Sequence, residues 1–471
     1  MARNSRPRIS ISKTCSGRST DLQMLRSLLI LLLTIVIASS TRSVSALIDS
    51  LVCDDDYGDD DGIVVSPGSA ACADNDRQAL LMFKASIISD PNNALADWTQ
   101  LPSGRNCCAW NGVTCDGVSG RVVRLKLPNQ QLKGTLSPEL GALSELQALI
   151  LHNNDLSGGI PASLAKLSSL ARLCLGGTSL SGSIPEAFGR GLTSLQLLDI
   201  SDSSLSGSLP ASLGGMSRLG RLYLKNNHIT GTLPPSFGRL SNLYDATFSN
   251  NKLSGRIPEG ICSNLTTLIS LSLDNNQITG LPTDLHNCVT LQYLSLSGNP
   301  LQSADSVAGI VTAPMIMEID LSNCGLTGNF PSWIEKLPHY EGPRGFDDDL
   351  WPSITLSDNK LSGEIPAMAI AALPGYMRTV ALDKNRFSGP IPPTFANISS
   401  LWGLALQENQ FSGVIPSAFE QMTSLTYFNV SYNNLSGSIP QDAPFTNFSI
   451  SAYQPGNLGL CGLPLAPCNE G

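Results

Sequence analysis

LQALILHNNDLSGGIP, residues 146–161, holds the plan of the whole chain. Leu149, Ile150 and Leu151 alternate as a short strand does, with the two leucines facing inward and Ile150 outward. Asn154 then turns the chain out of the strand, and Leu156-Ser157-Gly158-Gly159-Ile160-Pro161 leads it away. The same unit returns about every 24 residues between Val122 and roughly Phe448. Copies begin at 122, 146, 170, 195, 219, 243, 268, 291, 316, 351, 377, 401 and 425, thirteen in all. One coil cannot bury its leucines alone, so neighbouring coils complete the core. Stacking at about 4.8 Å per strand gives thirteen coils an arc of roughly 60 Å.

The composition fits this plan better than a set of compact domains. At roughly 150 residues per domain, 471 residues suggest three domains. Yet the chain has 70 Leu, 42 Gly and 30 Pro, and 14% charged residues against a usual value of about 25%. A mean hydropathy of +0.06 is too low for a membrane bundle.

The Asn position needs a hydrogen-bond donor, because its side chain bonds backbone groups of its own and adjacent coils. Nine repeats keep Asn there: Asn154, Asn227, Asn251, Asn276, Asn299, Asn359, Asn385, Asn409 and Asn433. The other four carry Gln130, Thr178, Ser203 and Cys324, each able to donate. Cys324 therefore reads as a buried thiol of this ladder, Cys288 as a structural residue at a core Leu position, and Cys174 as outward-facing and exposed. Cys53 has no obvious partner.

The chain ends speak about compartment. Leu28 to Ala38 is an apolar run, preceded by Arg26 and followed by the small-residue site Val44-Ser45-Ala46. It is too short to span a bilayer and reads as a secretory signal peptide over 1–46 rather than an anchor. Both Met1 and Met24 stand as possible starts. The leader carries seven basic and one acidic side chain, so a chain from Leu47 has a formal charge of −15 against −9 for the whole. Such acidity argues against nucleic acid as a partner. Six aspartates, Asp54, Asp55, Asp56, Asp59, Asp60 and Asp61, lie in an expected acidic disordered spacer over 47–71. They lack the spacing of a calcium loop, and neither a metal nor a cofactor is expected.

The period and the Leu-x-Gly-x-Ile-Pro segment identify leucine-rich repeats, and the sequence resembles the extracellular leucine-rich repeat proteins of plants. These include receptor kinase ectodomains, receptor-like proteins and polygalacturonase-inhibiting proteins. The resemblance covers about residues 72 to 468. It implies an α/β repeat fold: a right-handed, arc-shaped solenoid with a parallel β-sheet on its concave face, a second short sheet beside it, and disulfide caps. The expected divisions are an N-terminal cap over 72–121, thirteen repeats over 122–448 and a C-terminal cap over 449–471. Asp76 is a candidate N-cap of an amphipathic helix in the first cap. The resemblance implies pairing of Cys72 with Cys107, Cys108 with Cys115, and Cys461 with Cys468. Four cysteines by themselves allow three pairings.

Two departures are visible. The repeat from Ile316 is 35 residues long, with an extra loop near 338–349, and the repeat from Leu268 is one residue short. Sequons start at Asn264, Asn397, Asn429, Asn434 and Asn447, and are glycosylation acceptors where exposed.

Binding is expected on the outward strand positions. Arg124, Lys126, His152, Arg172, Arg221, Tyr223, Lys225, Tyr244, Asp245, Tyr293 and Asp320 are the candidate contacts. Asp274, Glu318, Asp358, Trp402, Tyr427 and Tyr432 extend the same face, which runs from basic to acidic. Arg and aromatic side chains are favoured as binding anchors. No catalytic motif is found, and the four His lie in separate repeats, so no enzyme is expected. The reading is a secreted protein of the extracellular space or cell wall that binds a peptide, a protein or a cell-wall-derived ligand in signalling or defence. Two alternatives stand: a shortened receptor ectodomain acting with a membrane receptor kinase, and an inhibitor of microbial polygalacturonase. No membrane span is expected in this chain.

Overall fold

The computed structural model describes residues 53, 68, 70–100, 106–263, 265–303, 307, 310, 313–337 and 352–468. The leader, the run Asp54–Asp61, Asn264 and the loop at 338–349 lie outside them. The chain divides into two units, 1–59 and 60–471. Of the first, only Cys53 is described, and it is disulfide-bonded rather than unpartnered.

The second unit is a solenoid. Its main sheet has fourteen strands. Val113–Cys115 of the N-terminal cap runs antiparallel to Val122–Lys126, and one parallel strand per repeat follows, as far as Tyr427–Asn429. The register stays in phase. Arg124 stands beside Ala148, Ala148 beside Arg172, Arg172 beside Leu197 and Leu197 beside Arg221. Each repeat position therefore becomes a row running along the solenoid. The central residue of each strand, from Leu125 and Leu149 to Leu404 and Phe428, is buried in one continuous core.

The Leu-x-Gly segments build a second, lateral sheet. It comes in two pieces: eight strands from Ile87–Ser89 to Gln277–Gly280, and six from Thr327–Gly328 to Gly459–Cys461. Most of its strands need a glycine in the left-handed region, such as Gly207 at φ +76° and Gly255 at φ +76°. The repeat from Leu291 has Ser303 at that position, and Pro300 removes an N–H two residues after Gly298. It forms no lateral strand among the described residues, and only an isolated bridge joins Ser303 to Thr327.

The inner asparagine ladder is built as a two-repeat clamp. Asn276 Nδ2 donates to Leu273 O at 2.9 Å in its own coil and to Phe248 O at 3.0 Å in the previous one. Its Oδ1 accepts from Leu253 N at 2.9 Å. Cys324 Sγ donates to Leu296 O at 3.2 Å, so its thiol does occupy the ladder. Asn457, in the C-terminal cap, extends the ladder beyond the repeats: it donates to Val430 O and accepts from Leu435 N. A second, outer ladder lies one residue earlier. Asn226, Asn250 and Asn275 all take φ between +51° and +57°, a region Asn tolerates better than most residues. Asn275 donates to Asn250 at 2.8 Å, and Asn250 to Asn226 at 2.7 Å.

The caps close the core. Helix Asp74–Ser86 is preceded by Ala73, which makes no side-chain cap. Asp76 is not its N-cap: its carboxylate lies within the first turn, fully buried, and bonds Arg121 and Val122. Trp98 stacks on Trp110 with ring centroids 5.4 Å apart. At the other end Phe419, Phe428, Phe445 and Tyr453 pack together, and the Tyr453 hydroxyl donates to Phe445 O at 2.6 Å. Disulfides join Cys72 to Cys107, Cys108 to Cys115, and Cys461 to Cys468. Cys288 is structural through a bond to Cys262, which ties two consecutive repeats. Cys174 corrects the expectation of an exposed thiol. It is fully buried and disulfide-bonded, although its strand position is an outward one.

Candidate functional site

The candidate contacts fall into four rows on or beside the main sheet. Arg124, Arg172, Arg221, Asp245 and Tyr293 occupy the first strand position of their repeats. Lys126, Tyr223 and Asp320 occupy the third. His152 and Lys225 stand two residues beyond it. Tyr244 immediately precedes its strand, with its N–H bonded to Gly220 O. Trp402 holds the same preceding place, while Asp358 and Tyr432 sit in left-handed turns after their strands rather than on them.

The middle of the sheet brings four of these residues together. The Arg221 guanidinium lies 5.4 Å from the Tyr244 ring centroid, a cation–π contact. The Tyr223 hydroxyl donates to Asp245 Oδ2 at 2.5 Å. Burial pushes the Asp245 carboxyl up, opposed by its bonds with Tyr223 and Ser270 and by the charge of Arg221. On the basic side, His152 is buried rather than presented to solvent. Asp199 lies near it, pushed up by burial and held back by Ser201, His152 and Lys225.

Toward the later repeats the face turns acidic. Asp274 accepts from the hydroxyls of Ser272 at 2.7 Å, Ser249 at 3.2 Å and Ser295. Burial raises Glu318 to about 8, with Asp320 and Asp274 adding to the shift and a bond from Tyr293 opposing it. Burial likewise raises Asp320 to about 6, against a bond from Ser322 Oγ at 2.6 Å. These serines escaped the sequence reading, because a serine at a variable strand position looks like neutral filler. Leu197 and Ile150 stand on outward positions as well, yet both are buried. They are visible as leucine and isoleucine outside the repeat's core positions.

Asn397, Asn434 and Asn447 are exposed. Asn429 is half-buried on the last strand, and its Oδ1 accepts from Ser431 N and Oγ. Among the described residues, the one His, Cys, Asp or Glu group close enough to hold a metal is Cys72, Cys107 and Cys108, and all three are in disulfides. No described helix is long and apolar enough to cross a membrane.

Comparison with known proteins adds to this geometry. A leucine rich repeat N-terminal domain model matches residues 73–116. Leucine rich repeat models match 241–301 and 376–435, and also 145–167, 194–216, 218–240 and 315–337. Protein MALE DISCOVERER 2 of Arabidopsis thaliana is 51% identical over 74 residues, which are 16% of this chain and 10% of that protein. Phytosulfokine receptor 1 of the same plant is 38% identical over 87 residues, 18% of this chain and 8% of that protein. The matches thus span a small part of these relatives. The solved complex PEPR1-AtPEP1 superposes with a TM-score of 0.66 at 28% identity, over 83% of this chain and 55% of that one. The HAESA ectodomain, solved with an IDA peptide hormone, gives 0.52 at 27% identity, over 78% and 66%.

Proposed function

Because the chain belongs to the leucine-rich repeat family, with the repeats and cap of plant receptor-kinase ectodomains, we propose that it is an extracellular recognition protein whose concave sheet binds a peptide or protein segment in signalling or defence. The carrying observation is the cluster of Arg221, Tyr223, Tyr244 and Asp245. Its side chains are held by one another before any ligand arrives, so little ordering entropy remains to be lost on binding. Arg and Tyr are also the residue types that dominate binding hot spots. The HAESA fold, solved with a peptide hormone ligand, supports a peptide over a wall fragment. Disulfides in both caps suit an oxidising compartment.

The test is affinity capture of secreted peptides and proteins on the purified chain, with alanine variants at Arg221, Tyr223 and Tyr244. A captured ligand should bind those variants at least ten-fold more weakly. Unchanged binding by all three rules out this surface. A second reading, an ectodomain working with a membrane kinase, is supported by similarity to a probable LRR receptor-like serine/threonine-protein kinase. Co-purification of a receptor kinase from plant membranes would support it.

A further inference from the structure

A polar recess of about 800 Å³ opens on the flank of the solenoid, away from the concave rows. It lies where the outer asparagine ladder meets the lateral sheet, and its walls include Gln131, Lys133, Asn153, Asp155, Ser179 and Asp202. The recess exists because both ladders fail together. The outer ladder reads Asn129, Asn153, Gly177, Asp202, Asn226, so a glycine at φ +65° leaves one place without a side chain. The inner ladder has Thr178 and Ser203 in the same two repeats, joined to each other at 3.1 Å. Asn153 Oδ1 leans over Gly177, 2.2 Å from where a Cβ on that glycine would stand, so the amide forms part of the wall of the recess.

We propose that this recess binds a neutral oligosaccharide. The recess is an open depression rather than an enclosed cavity, and nearly all the side chains that line it are polar. Pro91 is the single apolar side chain there and no aromatic ring lines it, so a peptide would find no pocket for an anchor. The walls instead offer amides and hydroxyls that both donate and accept, a lysine that donates and carboxylates that accept. A ligand covered with hydroxyl groups matches that inventory. Charge narrows the class further. Lys133 is paired with Asp155 at 3.4 Å, and Asp202 brings a second carboxylate, so a polyanion such as a galacturonate chain is disfavoured.

The test is calorimetry and saturation-transfer NMR on the whole secreted chain. The neutral probes are cellotriose and xylotriose for wall polysaccharide, and mannotriose and chitotriose for protein-linked glycan; trigalacturonate is the anionic control. At least one neutral probe should saturate, with trigalacturonate weaker. Gly177→Asn sets there the residue that Asn226, Asn250 and Asn275 carry in the same conformation and turns the Asn153 amide aside, so it should lower affinity at least ten-fold while a cooperative melt shows the fold retained. Asp155→Ala removes an exposed pair with Lys133 and an exposed bond from the Ser179 hydroxyl, which contribute little to stability, and should also weaken binding. Arg221→Ala should have no effect, which separates this site from the concave one. The proposal is overturned if none of the four neutral probes saturates, if trigalacturonate binds best, or if both recess variants bind like wild type.

Discussion

The carboxylate of Asp76 grips Arg121 across the joint between cap and repeats. Arg121 Nε lies 3.1 Å and 3.0 Å from the two carboxylate oxygens, and the N–H of Val122 donates to Oδ2 at 2.8 Å. Asp76 is wholly buried while Arg121 reaches the surface. Without the carboxylate Arg121 can turn to solvent, but the Val122 N–H stays buried without its acceptor, at about 1–3 kcal/mol. Asp76→Ala should therefore destabilise the chain by about 2 kcal/mol in urea unfolding and speed hydrogen exchange at Val122. Wild-type stability in that variant would show that the tie contributes nothing.

Asn276→Ala removes the donor to Phe248 O and Leu273 O and the acceptor of Leu253 N. An unsatisfied buried polar group costs about 1–3 kcal/mol, so the variant should lose on the order of 3 kcal/mol. Asn276→Asp should be no better, because it sets a carboxylate against two carbonyls. Thermal melts of both variants check this. A shift within error of wild type contradicts the clamp.

Paired Ser substitution at Cys262 and Cys288 removes a cross-link between positions 26 residues apart. A loop of that size predicts a loss of about 3 kcal/mol. Exchange protection should fall in the two repeats so joined and remain at Leu149 and Leu173. A uniform loss along the solenoid is the contrary outcome.

Burial pushes the Cys324 thiol up to about 12, and the thiolate is the reactive species. Iodoacetamide should leave Cys324 unmodified in the native chain and label it in urea, as read by peptide mass mapping. Native labelling would show that the ladder opens at this coil.

Glu318 and Asp320 titrate at about 8 and about 6, above ordinary values of 4.5 and 3.8. Acids raised on folding hold their protons more tightly in the folded chain. Their contribution is therefore most favourable at low pH, declines as pH rises from about 4 to 8, and levels off above that. Glu318→Gln should flatten the decline between pH 6 and 8 in a series of urea melts. The same slope in the variant would place the titration elsewhere.

Much of the fold is legible in the sequence because a repeat states each rule thirteen times. The strand rows, the Asn clamp and the core Leu positions all follow from spacing alone. The Asp76 tie is not, since a helix-start signature and a buried tertiary anchor use the same residue type. The Cys262–Cys288 bond hides for a related reason: each cysteine suits an apolar core position, and a separation of 26 residues makes one turn of the coil. At the candidate site, Arg221 and Tyr244 are visible as unusual strand residues, but their stacking needs the register between repeats. The recess at Gly177 is harder still. It is an absence of side chains, and becomes a shape only when neighbouring coils supply the walls.

The lateral sheet also bears on how the array comes apart. Tyr293–Ser295 keeps the main sheet unbroken across its coil, while among the described residues that coil adds no lateral strand and only the bridge from Ser303 to Thr327. Elsewhere neighbouring coils are mostly joined by two hydrogen-bonded rails. In a one-dimensional stack, unfolding nucleates its boundary where nearest-neighbour coupling is weakest. Coils up to Gly280 and those from Thr327 are therefore expected to melt as separate blocks, which unequal exchange protection at Leu271 and Ile354 would show.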